Sequence, residues 1–255
     1  MLNFSKPKLG DVSAITVTTN DPEASLKFYQ SLGFSEIWRN DFPFPWIQIS
    51  DGALLMMLRK DKEPYISLTY YVKELDKVIA GLEASGISFI QKPGASDMIK
   101  RYVFQSPDGL NIALVTHVEG FNQPPGPTML STPQEDYFKP EKYLNKEAGL
   151  FGEFAHPVKD MENSLAFWEK LGFITLSKHA SPYPWSIISD GLSVIGLHQS
   201  DHFSSPAITY FAADMKDKIE KLKSAGLKDY NEKGPANITI TSPEKQQVFL
   251  FKLGM

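Results

Sequence analysis

The stretch Asp21-Pro-Glu-Ala-Ser-Leu-Lys-Phe-Tyr-Gln-Ser-Leu-Gly-Phe34 decides how this chain is built, because it returns as Asp160-Met-Glu-Asn-Ser-Leu-Ala-Phe-Trp-Glu-Lys-Leu-Gly-Phe173, 139 positions later. Without gaps the match runs from Gly10/Gly149 to Arg59/His198, with 17 of 50 aligned pairs identical. Pro43-Phe-Pro-Trp46 and Ser50-Asp-Gly52 recur at the same offset as Pro182-Tyr-Pro-Trp185 and Ser189-Asp-Gly191. After a one-residue insertion, Leu68-Thr-Tyr70 matches Ile208-Thr-Tyr210. A period this long means two copies of a domain, not a solenoid.

Each copy reads as the same run of elements. Val12 to Thr18 alternates and is β-branched, as a strand requires. Asp21 is placed to cap a helix, with Pro22 at its first position and Gly33 at its end. Leu26, Phe28, Tyr29 and Leu32 supply the buried face. Strands follow at 34–39, 46–50 and 53–59, the last two joined by the Asp51-Gly52 turn. The pattern restarts with a strand at 65–72, a helix at 75–85, and strands at 87–91, 101–105 and 110–116. The second half repeats it from Phe151 to Leu253. The chain is thus expected to be α+β, with four βαβββ units in two tandem domains, 1–117 and 150–255. Residues 118–149 hold five prolines and read as a surface linker.

Composition narrows the function. The 255 residues are 42% hydrophobic and 22% charged, with a net charge of −4 and no basic run, which argues against nucleic acid as a partner. There are no cysteines, so disulfides, thiolate metal sites and cysteine nucleophiles are excluded. Met1 to Gly10 lacks the apolar core of a signal peptide, and no apolar run approaches the about 18 residues of a membrane span. The expectation is a cytoplasmic protein, monomer or homodimer, with no membrane contact.

The helix motif Asp-x-x-x-Ser-x-x-Phe-Tyr-x-x-Leu-Gly-Phe, the Ser-Pro-Asp-Gly turn at 106–109 and the four units resemble the vicinal oxygen chelate superfamily. That family includes glyoxalases, extradiol dioxygenases and bleomycin-resistance proteins. The resemblance implies paired units curling their strands around a cleft. It also implies that metal-dependent members carry His, Gln or Glu on the first and last strands. Those positions fall on Ala14, Met57, Ser67 and Ala113 in the first half, and on Glu153, Gly196, Ala207 and Phe249 in the second. Only Glu153 is an adequate ligand, and a catalytic ion is usually held by three or more. No metal and no other cofactor is therefore expected.

Two pairings of the units are open. If the first unit of one half faces the second unit of the other, one cleft gathers Glu153, Gly196, His198, Ser67, Thr69, Tyr71, Asn111 and Ala113. The other then gathers Ala14, Thr16, Met57, Arg59, Thr209, Gln247 and Phe249, and is expected to be filled by Met57 and Phe249. If pairing is within each half, Glu153 and His198 still share a cleft. Trp46 and Trp185 are either an aromatic wall for a flat ligand or packing residues, and their presence in both copies favours packing. His198 and His202 have the spacing of zinc ligands on a helix but sit at a strand end and loop. His156 reads as a satisfied packing residue. Two functions follow: a metal-free protein that sequesters or senses a small molecule through Glu153, His198, Ser67, Thr69, Tyr71, Asn111, Trp46 and Trp185, or a metal-independent lyase or isomerase with Glu153 and His198 as acid and base.

Overall fold

The computed structural model describes residues 7–254. The first copy begins with β1 (Val12–Thr19), α1 (Pro22–Ser31), β2 (Ser35–Asn40), β3 (Trp46–Ser50) and β4 (Leu55–Lys60). It continues with β5 (Ile66–Val72), α2 (Leu75–Ala84), β6 (Arg101–Gln105) and β7 (Asn111–Thr116). The second copy comprises β8 (Leu150–Pro157), α3 (Met161–Lys170), β9 (Ile174–His179), β10 (Trp185–Ser189) and β11 (Val194–His198), then β12 (Ala207–Ala212), α4 (Met215–Ser224), β13 (Tyr230–Gly234), β14 (Asn237–Thr241) and β15 (Gln247–Lys252). The strands form a seven-stranded sheet in the order β2-β3-β4-β1-β5-β7-β6 and an eight-stranded sheet in the order β13-β14-β15-β12-β8-β11-β10-β9. The α+β class and the tandem repeat are as the sequence implies.

The helix signals act as expected. The Asp21 carboxylate accepts from Ala24 N at 3.0 Å, and Asp160 accepts from Asn163 N at 3.1 Å. Gly33 and Gly172 end their helices at φ +89° and +94°, a region in which only glycine is unstrained. One strand is missing. Residues 87–91, expected as a strand, make a single bridge, Gln91 to Val103, before Pro93 and Gly94 turn the chain away; β13 occupies that place in the second copy. Residues 118–149 are mostly exposed or half-buried but carry buried anchors. Phe121, Tyr143, Asn145 and Ala148 are buried in this stretch. Asn145 Nδ2 donates to Leu32 O at 2.9 Å and to Asp51 Oδ2 at 3.1 Å. The prolines had masked these anchors.

The chain packs as two compact units, each drawing on both sequence copies. One contains residues up to Thr16, then Ile66–Gln123 and His156–Ser204; the other contains Val17–Tyr65, Pro124–Ala155 and the chain from Ser205 onward. Within each unit the repeated residues form locks between copies. In the second unit, Ser25 Oγ donates to Glu244 Oε2 at 2.7 Å and Tyr29 Oη to Glu244 Oε1 at 2.6 Å. In the first, Ser164 Oγ donates to Asp108 Oδ2, which sits at the equivalent turn. The second lock uses the repeated Tyr and Asp-Gly. Tyr70 Oη donates to Asp190 Oδ2 at 2.7 Å, and Tyr210 Oη donates to Asp51 Oδ2 at 2.6 Å. All four carboxylates thus receive a donor from the other copy. Burial raises the Asp190 carboxyl above the usual carboxylate range and pushes the Tyr70 and Tyr210 hydroxyls well up.

Candidate functional site

In the first unit the family's ligand positions are closed by hydroxyls. Ser67 and Thr69 lie on β5, where Thr69 pairs with Ala113 and Ser67 with Asn111 on β7. Thr69 Oγ1 is 2.8 Å from Thr16 Oγ1 and 2.9 Å from Ser67 Oγ, so three buried hydroxyls satisfy one another. Asn111 donates from Nδ2 to Ile66 O at 3.1 Å and accepts from Gln105 Nε2 at 3.0 Å. Tyr71 is buried against Phe121, ring centroids 4.8 Å apart, and burial raises its hydroxyl well above the ordinary tyrosine range.

The equivalent face in the second unit is built differently. On β8, β12, β15 and β14 the registers Glu153↔Thr209, Thr209↔Phe249 and Phe249↔Thr239 make one transverse row. The row beside it is Ala155, Ala207, Gln247 and Thr241. Glu153, Thr209 and Phe249 are buried, while Gln247, Phe211 and Phe251 are half-buried. Gly152 is the extra residue where β8 slips register against β12, and a Cβ there would lie 2.4 Å from the Phe211 ring. The bulge it permits sets Glu153 opposite Thr209.

The internal repeat makes Thr209 informative. Thr209 is the counterpart of Thr69, but the two hydroxyl partners of Thr69 are replaced: Thr16 by Ala155 and Ser67 by Ala207. Thr209 Oγ1 accordingly is buried with no hydrogen-bond partner among the described residues, and so is Gln247 Oε1. Leaving such a group unsatisfied costs about 1–3 kcal/mol. The Phe249 and Phe251 rings stack beside them, centroids 5.3 Å apart and 20° from parallel.

His198 and Trp185 come together elsewhere, in the first unit. The Trp185 ring is stacked 4.0 Å from the exposed His179 ring and lies parallel to that of the buried His198 at 6.3 Å. Tyr183 Oη is 3.3 Å from His198 Nδ1, and Phe203 packs edge-on against the imidazole. Trp46 instead packs against Trp38, and its neighbour Arg59 lies over Phe44 and Tyr65. Both repeated tryptophans are half-buried. His202 is exposed. His156 corrects an expectation: Nε2 is 3.4 Å from Ser106 Oγ, but Nδ1 has no partner among the described residues, and burial lowers its pKa to about 4.

Comparison with known proteins agrees with this architecture. Residues 12–114 match the family model of the Glyoxalase/Bleomycin resistance protein/Dioxygenase superfamily. The 2,3-dioxygenase LapB from Pseudomonas sp. KL28 superposes with a TM-score of 0.60 at 15% identity, over 97% of this chain and 94% of that one. Homoprotocatechuate 2,3-dioxygenase from Arthrobacter globiformis gives 0.62 at 14% identity, over 98% and 82%. The E323L variant of the Brevibacterium fuscum enzyme gives 0.62 at 13%, over 96% and 71%. No curated protein matches the chain. The family model thus covers the first copy, and the solved structures show the same tandem fold over the whole chain.

The donor set does not fit the metal that the resemblance to metal-dependent members of that superfamily implies. Seven of the eight family positions carry Ala14, Met57, Ser67, Ala113, Gly196, Ala207 and Phe249, and the Ser67 hydroxyl is held by Thr69. Among the described residues no group of three His, Asp or Glu is disposed to hold an ion. No described helix is long and apolar enough to cross a membrane.

The structure also regroups the sequence-predicted site. Ser67, Thr69, Tyr71 and Asn111 belong to the seven-stranded sheet; Glu153 and His198 belong to the eight-stranded one. Glu153 and Phe249, in opposite clefts only if the units pair across the halves, share a face through Thr209, because β12 pairs with both β8 and β15. Thr209 and Gln247 were grouped with the cleft expected to be filled. Their importance lay in the alignment of the copies, in the Thr16/Ala155 and Ser67/Ala207 substitutions.

Proposed function

We propose that this protein binds a small molecule without a metal ion, on the β8-β12-β15 face that carries Glu153, Thr209 and Gln247. The observation that carries the reading is Thr209. Both hydroxyls that satisfy its counterpart are gone, and a ligand on this face would supply the missing partner. A binding site with few convergent polar groups among apolar walls is the usual form of a small-molecule site. The structural neighbours named above are dioxygenases, yet likeness at this identity carries fold and not activity.

The test is a fragment screen by amide NMR on isotope-labelled protein after exhaustive chelation. Shifts clustered on 152–155, 207–211 and 247–251 are expected. Hits that need added iron, manganese or zinc, or that cluster only at His198 and Trp185, would overturn the proposal.

A further inference from the structure

We infer that the ligand of the β8-β12-β15 face is a planar ring presenting a hydrogen-bond donor and acceptor side by side on one edge, as in a lactam or amino-azine. The inference rests on the binding reading above and adds to it the chemical class.

The two unsatisfied groups set the pattern. Gln247 Oε1 can only accept, so the ligand must bring an N–H or O–H to it. The Thr209 hydroxyl has no acceptor of its own and can donate to a ring carbonyl or ring nitrogen. The two residues are diagonal neighbours on one face: Thr209 pairs with Phe249, and Gln247 is two residues before Phe249 on β15. Two adjacent atoms of a ring edge match that diagonal better than two separated substituents would. Ala155 and Ala207 leave the flank of Thr209 free of longer side chains. The stacked Phe249 and Phe251 rings offer a flat apolar wall, which favours an aromatic ring over a flexible chain. Phe251 and Gln247 are half-buried, so theirs is the more open end of a face on which Thr209 and Phe249 are buried.

The experiment titrates 2-quinolone and N-methyl-2-quinolone into the chelated protein, followed by NMR shifts on β12 and β15. Methylation removes the donor and keeps the ring. The expected result is that 2-quinolone shifts the face and binds at least tenfold more tightly than its N-methyl analogue, about 1.4 kcal/mol. Gln247→Met should erase that ratio, and Thr209→Val should weaken 2-quinolone without restoring the N-methyl compound. Equal binding of the two compounds on the face would overturn the donor–acceptor assignment and leave small-molecule binding standing. Shifts from other fragments but from neither quinolone would overturn the ring class alone. No shift of the face by any fragment would overturn both. Native amide spectra of both variants separate loss of contact from loss of fold.

Discussion

Replacing Thr69 and Thr209 by valine, one at a time, should move stability in opposite directions. The residues are counterparts, and valine keeps the shape of threonine while removing the hydroxyl. In Thr69→Val two hydrogen bonds are lost, at 2.8 and 2.9 Å, and the buried Thr16 and Ser67 hydroxyls lose their common partner. At about 0.5–1.5 kcal/mol per bond, the expected cost is about 1–3 kcal/mol. In Thr209→Val no bond is lost, since its hydroxyl has no partner among the described residues, and the desolvation penalty of that group disappears. A gain of about 1 kcal/mol is expected. For a chain of this length each kcal/mol shifts Tm by about 2–4 °C. Thermal and urea unfolding at neutral pH measure both variants against the wild type. A Thr209→Val variant destabilised as much as Thr69→Val would show that the Thr209 hydroxyl is satisfied in solution and would remove the argument for this face.

Other expectations follow from the same geometry. His156 has its pKa lowered to about 4 by burial, against 6.5 when unfolded, so the unfolded chain binds more protons as pH falls. Stability should therefore drop by about 3 kcal/mol between pH 6.5 and 4, and His156→Leu should remove that part of the slope in unfolding at stepped pH. Tyr210→Phe removes a hydrogen bond to the buried Asp51 carboxylate and should cost about 1.5–3 kcal/mol in urea unfolding. Gly152→Ala puts a Cβ 2.4 Å from the Phe211 ring, so fragment binding at Thr209 should weaken several-fold; unchanged binding would show that the bulge does not position this face.

How much was legible in the sequence depended on whether the signal was local. Asp21, Gly33 and the Asp-Gly turns fix backbone geometry within a few residues, and the helices and hairpins follow from them. Residues 87–91 have strand-like composition, yet one bridge is all they make, because pairing depends on a neighbour that local pattern does not contain. The anchors Phe121, Tyr143 and Asn145 sit among prolines that signal only irregular backbone. The grouping of the site stayed open for a related reason. Side-chain alternation told which residues face inward, but not which units pair, and Phe249 lies with Glu153 only if the units pair within a half. The loss of the partners of Thr209 was readable in the alignment of the two copies, once Thr16 and Ser67 were known to touch Thr69.

The Ser–carboxylate and Tyr–carboxylate locks have a consequence for how such a chain can be divided. Each joins a residue of the first copy to one of the second: Ser25 and Tyr29 to Glu244, Asp108 to Ser164, Tyr70 to Asp190, and Asp51 to Tyr210. Nothing in such a bond requires the partners to be on one polypeptide. Two half-length chains cut between the copies would carry complementary sets of hydroxyls and carboxylates and should reassemble as fragments in trans. The covalent connection then acts as a tether that raises the effective concentration of one copy around the other. A half-length chain with all of these residues in a single copy could satisfy every lock by pairing with itself. The tandem sequence has the form of such a self-pairing chain fused end to end, and only a fused chain can carry Thr16 and Ser67 in one copy with Ala155 and Ala207 in the other.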